Sequence, residues 1–173
     1  MKKGLIHVYC GDGKGKTTAA MGLILRSLGR GRRVVLMQFL KGWETGEILM
    51  LEKLDGITIF RGKEGTKFTC DMTPEEREHT KQAQDETLRQ AMDAAKDADL
   101  LVLDEVIGAY NFDMVDQELV RGIVENKPEG LELVLTGRDP DAFFLEKADY
   151  MTEMRAYKHP YTKGIQAREG IEF

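Results

Sequence analysis

The sequence has only two cysteines, Cys10 and Cys70, in 173 residues. They form no metal-ligand spacing and are too few for a disulfide scaffold, so a reducing compartment is expected. No apolar run approaches the roughly 20 residues that span a membrane. The apolar run near the first residue is shorter than the ~7–15 residues of a signal peptide. These absences predict a cytoplasmic protein without a membrane segment.

The chain also lacks an excess of positive charge. Its formal net charge is -5, which gives no support to binding of nucleic acid or of a membrane surface. Hydrophobic residues make up 42% and charged residues 32%, which is ordinary for a soluble globular protein. The length suffices for a core without disulfides or metals, so we expect residues 1–173 to form a single domain.

Predicted strands and helices alternate along the chain. Apolar segments predict strands at 5–9, 32–40, 57–60, 99–105 and 131–138. Helices are expected from Thr17 to a cap at Gly29, from a capping box at Thr73 to about Asp97, near 115–126, and in "PDAFFLEKA". Residues 41–55 and 61–72 are predicted to be irregular. Near-continuous apolar strands between helices are typical of an α/β fold, here a three-layer parallel sheet with helices on both faces.

The segment "YCGDGKGKTTAA" (9–20) has the layout of a phosphate-binding loop between a strand and a helix. The usual pattern is G-x-x-x-x-G-K-[ST], and Cys10 stands where its first glycine belongs. In such a loop the backbone N–H groups face the phosphates, Lys16 reaches them, and the hydroxyl of Thr17 ligates Mg²⁺. As a loop lysine, Lys16 is expected to be exposed. The alternative is a glycine-rich turn with solvated lysines.

A second group of candidate residues follows the later strands. Asp104 and Glu105 end an apolar strand, as a second magnesium motif would, although an acid pair at a helix N-terminus is the alternative. Arg138 and Lys41 either contact phosphate or are surface residues. The carboxyl ends of parallel strands form one edge, where ligands bind in open α/β sheets, so these residues and the glycine loop are predicted to converge.

Together the segments resemble the P-loop type of ATP:cob(I)alamin (corrinoid) adenosyltransferase. The matching pieces are "GDGKGKTTAAMG", "MQFLKG", "LLVLDE", "LTGR" and "EMRAYKHPYTKGIQAREGIEF". In that family the loop reads G-N-G-K-G-K-T-T and its leading position is commonly not glycine, so Cys10 fits the pattern. The last piece separates this family from other P-loop proteins, and the resemblance covers nearly the whole chain.

The resemblance implies a RecA-like P-loop fold and a homodimer that acts in cobalamin synthesis or salvage. The enzyme would transfer the 5′-deoxyadenosyl group of ATP to the Co(I) of a corrinoid and release triphosphate. The corrinoid is either cobalamin or a precursor such as cob(I)yrinic acid a,c-diamide. Electrons to form Co(I) would come from a reduced flavoprotein.

Carried over residue by residue, the resemblance assigns three groups. Those expected to hold the triphosphate are Gly11, Asp12, Gly13, Lys14, Gly15, Lys16, Thr17 and Thr18, and Arg138 is added to them as a nucleotide-binding candidate because of its place after a strand. Thr17 and Glu105 would hold Mg²⁺ with Asp104 as a nearby acid, and Lys16 and Glu105 would be the catalytic residues. Phe68 and Cys70 would lie against the corrin.

Two departures from the family concern the corrin face. Cys70 stands where the family often has a large aromatic residue, two positions after Phe68. The first strand begins by about Leu5, whereas family members often carry a longer N-terminal segment that covers the site. Both departures predict that the affinity or specificity for corrinoids differs from that of other family members. Two other functions share the loop and the acids: a small-molecule kinase, which transfers the γ-phosphoryl group, and a nucleotide-dependent switch ATPase.

Overall fold

The computed structural model describes residues 3–62 and 69–173. Within them the strands are β1 (Ile6–Cys10), β2 (Val34–Gln38), β3 (Ile57–Arg61), β4 (Leu100–Asp104), β5 (Glu132–Thr136) and β6 (Tyr150–Glu153). The helices are α1 (Lys16–Leu28), α2 (Gly46–Leu51), α3 (Pro74–Ala95), α4 (Val106–Asn111), α5 (Gln117–Asn126) and α6 (Ala142–Lys147). Short 3₁₀ turns lie at Thr69–Asp71 and Pro160–Lys163. No helix in these ranges is long and apolar enough to cross a lipid bilayer.

The six strands form one sheet in the order β3-β2-β4-β5-β1-β6, and every neighbouring pair is parallel. The predicted parallel sheet is therefore confirmed. Because all strands run in one direction, their carboxyl ends meet at the same edge. The first strand pairs with two strands from the last third of the chain, β5 and β6.

Helices cover both faces of the sheet, as predicted. The alternating side chains of β4 show the two cores. Leu100 and Val102 pack with Ile24 of α1 on one face. Leu101 and Leu103 pack on the other face, in the core that includes residues of α3, α4, α5 and α6. This arrangement gives three layers and explains why the strands read as continuous apolar runs rather than alternating ones.

Helix α3 begins where the sequence predicts. The side chain of Thr73 accepts a hydrogen bond from the Glu76 N–H at 3.2 Å, and the Glu76 carboxylate accepts one from the Thr73 N–H at 2.7 Å. This reciprocal pair is a capping box, with Pro74 in the first turn. The buried face of the helix consists of Gln84, Leu88, Ala91 and Ala95.

Three elements lie where no helix or strand is predicted. Helix α2 falls within 41–55, a segment predicted to be irregular, and has only six residues. Helix α4 has six residues and follows Glu105 directly. Strand β6 has the sequence YMTE with all four residues exposed, so it shows no apolar pattern. Its position comes from pairing with β1 rather than from burial of its own side chains.

Candidate active site

The glycine loop joins β1 to α1 and rests against the end of β6. Gly11 has a φ of 98°, and a Cβ there would lie 2.4 Å from the Met154 carbonyl oxygen. At Gly13 the same oxygen would be 2.7 Å away, so neither position has room for a side chain. The Gly13 N–H donates to this oxygen at 2.6 Å. The loop therefore depends on a close approach between its backbone and the segment after β6.

Asp12 strengthens this contact. Its exposed carboxylate accepts a hydrogen bond from the Ala156 N–H at 3.0 Å, which is the main reason why the pKa of Asp12 is lowered. Asp12 was predicted to hold phosphate, and in the structure its side chain joins the loop to the C-terminal segment. Sequence reasoning found the "EMRAYKH" segment as a family signature but not this contact.

Lys16 is the first residue of α1 and lies within the loop. Its ammonium donates to the carbonyl oxygens of Gly11 at 2.7 Å and Gly13 at 2.8 Å. Only 7% of the residue is exposed, so the expectation of an exposed lysine is wrong for Lys16. Burial lowers the pKa of this lysine, with a further lowering by the charge of Arg138. A positive charge is therefore concentrated inside the loop, where an anion would be attracted.

Asp104 is a fully buried carboxylate at the end of β4. Its Oδ1 accepts from the Thr136 hydroxyl at 2.8 Å. Its Oδ2 accepts from Lys41 at 2.7 Å, Gln38 at 3.2 Å and Thr17 at 3.3 Å. These four donors come from β2 and the residues after it, from α1 and from β5. The predicted convergence at the carboxyl edge of the sheet is therefore confirmed for these residues.

Glu105 lies between the end of β4 and the start of α4. Its φ is 62°, an uncommon left-handed conformation for a glutamate, and its N–H donates to the Thr136 hydroxyl at 2.8 Å. Burial and then the neighbouring Asp104 raise the pKa of Glu105, while the charges of Lys41, Lys16 and Arg138 oppose this effect. The carboxylate therefore lies among three positive side chains at the site.

Lys41 and Gln38 are site residues that the sequence did not resolve. Lys41 lies between two oxygens, with its Nζ 2.9 Å from the Thr17 hydroxyl and 2.7 Å from Asp104. Gln38 donates to Asp104, while its buried Oε1 has no hydrogen-bond partner among the described residues. The signal was their position near the carboxyl end of the second predicted strand, with Gln38 inside its last residues and Lys41 directly after it.

The remaining predicted phosphate residues are more exposed. Thr18, Lys14 and Arg138 are exposed, and Lys14 lies 3.6 Å from Glu172. Arg138 follows β5 and its charge acts on Asp12, Lys16 and Glu105. These three side chains are therefore open to solvent at the site.

A cavity of about 330 Å³ opens beside the loop. Thr17 and Thr18 line one side, Lys41 and Trp43 another, and the last four residues, 170–173, a third. The C-terminal turn is held by Arg168, whose guanidinium and N–H both bond to Glu172 and lower its pKa to about 2. The cavity therefore lies between the glycine loop and the C-terminal segment.

Only one of the two residues predicted to contact the corrin, Cys70, belongs to the described residues. Phe68 lies outside the described residues. Cys70 is in the 3₁₀ turn at Thr69–Asp71 and is exposed. This turn precedes α3, whose Arg77 donates to the carbonyl oxygens of Thr69 at 3.2 Å and Phe112 at 2.7 Å. Arg77 therefore links the turn to the backbone at the end of α4, where Phe112 is exposed.

Among the residues that the structure describes, no group of three or more His, Cys, Asp or Glu side chains could hold a metal ion by itself. Thr17 and Asp104 offer a hydroxyl and a carboxylate, which are oxygen ligands of the kind Mg²⁺ takes. A magnesium site here would need further oxygens, and phosphates commonly supply them. The donor set fits a cation that arrives with a nucleotide.

Comparisons with known proteins agree with this geometry. The model of the family described as ATP:corrinoid adenosyltransferase BtuR/CobO/CobP matches residues 2–173. A corrinoid adenosyltransferase of Sinorhizobium sp. is 36% identical over 176 residues, which cover 99% of this chain and 81% of that protein. Its counterpart in Escherichia coli strain K12 is 35% identical, with 99% and 87% covered. The corrinoid adenosyltransferase CobA of Salmonella typhimurium strain LT2 is 32% identical, with the same coverage.

A solved structure supports the fold. The KaiC-like protein PH0186 from Pyrococcus horikoshii OT3 superposes with a TM-score of 0.50 at 14% identity, covering 99% of this chain and 77% of that one. At this identity the likeness concerns the fold alone. The predicted P-loop fold of the RecA-like type is confirmed.

Proposed function

The chain belongs to the ATP:corrinoid adenosyltransferase family, and from this premise we propose how its residues transfer the adenosyl group of ATP to a corrinoid. Adenosyl transfer by displacement at C5′ requires a positioned ribose carbon, a stabilised triphosphate leaving group and a dry cobalt face. It requires no protein nucleophile. The described site has the features that stabilise a leaving group, which is the part of the reaction that its geometry supports best.

The single observation that carries this proposal is the position of Lys16. Its ammonium lies inside the loop, bonded to two carbonyl oxygens of the loop itself. A bound triphosphate would offer this ammonium stronger, charged acceptors. We propose that Lys16 and the backbone of residues 11–18 hold the triphosphate, with Arg138 at its exposed side. Lys16 thus stabilises charge as the C5′–oxygen bond breaks.

We propose that Thr17, Asp104 and Glu105 hold Mg²⁺ together with the triphosphate. When bound, the ion would neutralise charge on the departing triphosphate. Thr17 and Asp104 present oxygens that already share one cationic partner, Lys41. Glu105 would be held toward the phosphates by its left-handed backbone and by the bond from its N–H to Thr136.

The corrinoid would bind beside the turn that carries Cys70. We propose that Phe68 and Cys70 lie against the corrin, as the resemblance to the family implies. Cys70 is smaller than an aromatic residue, which leaves more room at this face. The natural substrate would be cobalamin or cob(I)yrinic acid a,c-diamide, and a reduced flavoprotein would supply the electrons.

We further propose that residues 1–173 act as one domain within a cytoplasmic homodimer. The edge strand β6 supports the dimer, because its backbone lies at the end of the sheet and Tyr150 and Met151 are 52% and 42% exposed. Exposed edge strands with apolar side chains are prone to pair with another chain.

The leaving group tests the function. The protein is incubated with ATP, Mg²⁺ and chemically reduced cobalamin, and phosphate products and corrinoid absorbance are measured together. Triphosphate and a light-sensitive cobalt–carbon product are expected in equal amounts. ADP formed with an added metabolite would instead indicate a kinase. Slow ATP hydrolysis with no corrinoid product would indicate a switch ATPase.

A further inference from the structure

Lys41 occupies a position that two oxygens of the site share. Its Nζ lies 2.7 Å from Asp104 Oδ2 and 2.9 Å from Thr17 Oγ1, and these two oxygens are 3.3 Å apart. Only 16% of the lysine side chain is exposed. Both oxygens belong to the set that we propose for magnesium. The ammonium and a metal ion would therefore have the same two acceptors.

The lysine also balances a buried charge. Asp104 is fully buried, and of its four described donors Lys41 is the one that carries a full positive charge. A buried carboxylate requires such a partner. If Lys41 left without a replacement, Asp104 would keep only neutral donors. The ammonium is thus held in place until another cation takes over its acceptors.

We propose that Lys41 competes with the divalent ion for Thr17 and Asp104. When metal and nucleotide bind, its side chain moves and the ammonium binds the triphosphate instead. Two cations cannot share acceptors at such distances without strong repulsion. Lys41 and Trp43 line the cavity beside the loop, so a released side chain faces the nucleotide. This inference depends on the metal site proposed above.

The competition couples the two ligands. Metal alone would displace Lys41 from Thr17 and Asp104, the two oxygens that it binds in the structure. The triphosphate offers the ammonium new charged acceptors, so binding of the nucleotide and binding of the metal favour each other. The enzyme would bind little free metal and would take up metal and ATP together.

The test compares nucleotide-free metal binding by the wild-type protein and by Lys41→Met, which keeps the length of the side chain but removes its charge. Binding of Mn²⁺ is followed by the loss of its free EPR signal. Lys41→Met is expected to bind Mn²⁺ about tenfold more tightly than wild type, within the range usual for coupled sites. Thermal unfolding and circular dichroism verify that each variant is folded.

Two further variants locate the effect. Lys81→Met removes a lysine charge that pairs with Asp113 outside the candidate site, and it should leave nucleotide-free Mn²⁺ binding at the wild-type value. In Thr17→Val combined with Lys41→Met, the gain should disappear because one of the two shared oxygens is gone. Equal gains in Lys81→Met and Lys41→Met would mean a general charge effect and would overturn the proposal.

A second measurement separates this proposal from the metal site on which it rests. The EPR line shape of Mn²⁺–ATP is recorded with and without wild-type protein. If the protein alters that line shape but folded Lys41→Met binds free Mn²⁺ no better than wild type, the competition is refuted and the metal site stands. If neither measurement shows bound Mn²⁺, both are refuted.

Discussion

Replacing Asp104 by asparagine should destabilise the protein strongly, although the two side chains have nearly the same shape. The carboxylate is fully buried and accepts four hydrogen bonds, one of them from the Lys41 ammonium at 2.7 Å. Asparagine can still accept from Thr136, but its amide nitrogen would face the donors of Lys41 and Gln38. The ion pair with Lys41 is lost, and either Lys41 or Gln38 must turn its donor away from the new amide nitrogen.

The magnitude follows from the burial of the pair. Breaking a buried ion pair by removing one partner costs about 3–5 kcal/mol. The low end applies here, because Lys41 is 16% exposed and can turn toward solvent, and because Gln38 can turn its unpaired Oε1 toward the new amide. We expect a loss of about 3 kcal/mol in the free energy of unfolding. For a chain of this length that corresponds to a fall of roughly 6–12 °C in Tm.

Urea and thermal unfolding measure the effect, with Asp113→Asn as the matched control. Asp113 pairs with Lys81 at 2.6 Å, but its side chain is 73% exposed, so its loss should cost less than ~1 kcal/mol. The double variant Asp104→Asn, Lys41→Met should lose less stability than the sum of the two single variants. If Asp104→Asn stays within ~1 kcal/mol of wild type, or if the double variant is strictly additive, Lys41 does not compensate this carboxylate.

Three other predictions concern the loop, the second acid and the thiols. Lys16→Ala should abolish triphosphate release with reduced corrinoid and cost about 2 kcal/mol in urea unfolding, since it removes one buried and one partly buried hydrogen bond of a charged donor; full turnover would contradict the phosphate role. The pKa of Glu105 is raised on folding, so its ionisation opposes folding once the pH rises above the ordinary glutamate pKa of 4.5. The resulting loss of folding stability is complete when the pH lies above the raised pKa. Glu105→Gln should therefore raise Tm at pH 7 more than at pH 4 while activity is lost, and an equal change at both pH values would contradict this reasoning. A thiol reagent should label exposed Cys70 and spare buried Cys10, with bound corrinoid slowing the reaction; labelling unaffected by corrinoid would place Cys70 away from the corrin.

The parts of the fold that the sequence predicts are those with strong local patterns. Buried strands such as Leu100–Asp104 read as continuous apolar runs, and Thr73 starts its helix through contacts within one turn. Strand β6 has neither signal, because its four exposed residues owe their position to β1. Helices α2 and α4 have six residues each, too few for a helical period to be evident.

In the candidate site, too, the sequence predicts some features and not others. The sequence places the loop, Asp104 and Glu105 at one edge of the sheet, since parallel strands bring their ends together. It does not reveal which charges touch. The burial of Lys16 follows from the folding of the loop around its ammonium, and the contact of Lys41 with Thr17 and Asp104 follows from the path of the chain after β2. Such contacts depend on tertiary distances that no short motif encodes.

The contact between the loop and the segment after β6 determines when the site can form during synthesis. The Asp12 carboxylate and the Ala156 N–H that it binds are 144 residues apart in the chain. The loop sequence leaves the ribosome early, but strand β6 and the backbone that supports the loop leave it much later. Pairing at such separation is slow, because a long chain must close before the contact is gained. A nascent or truncated chain that ends before Met154 therefore carries the complete glycine-loop motif without the backbone that supports it, so we expect the loop to take its final shape only after the Met154–Ala156 segment has been made.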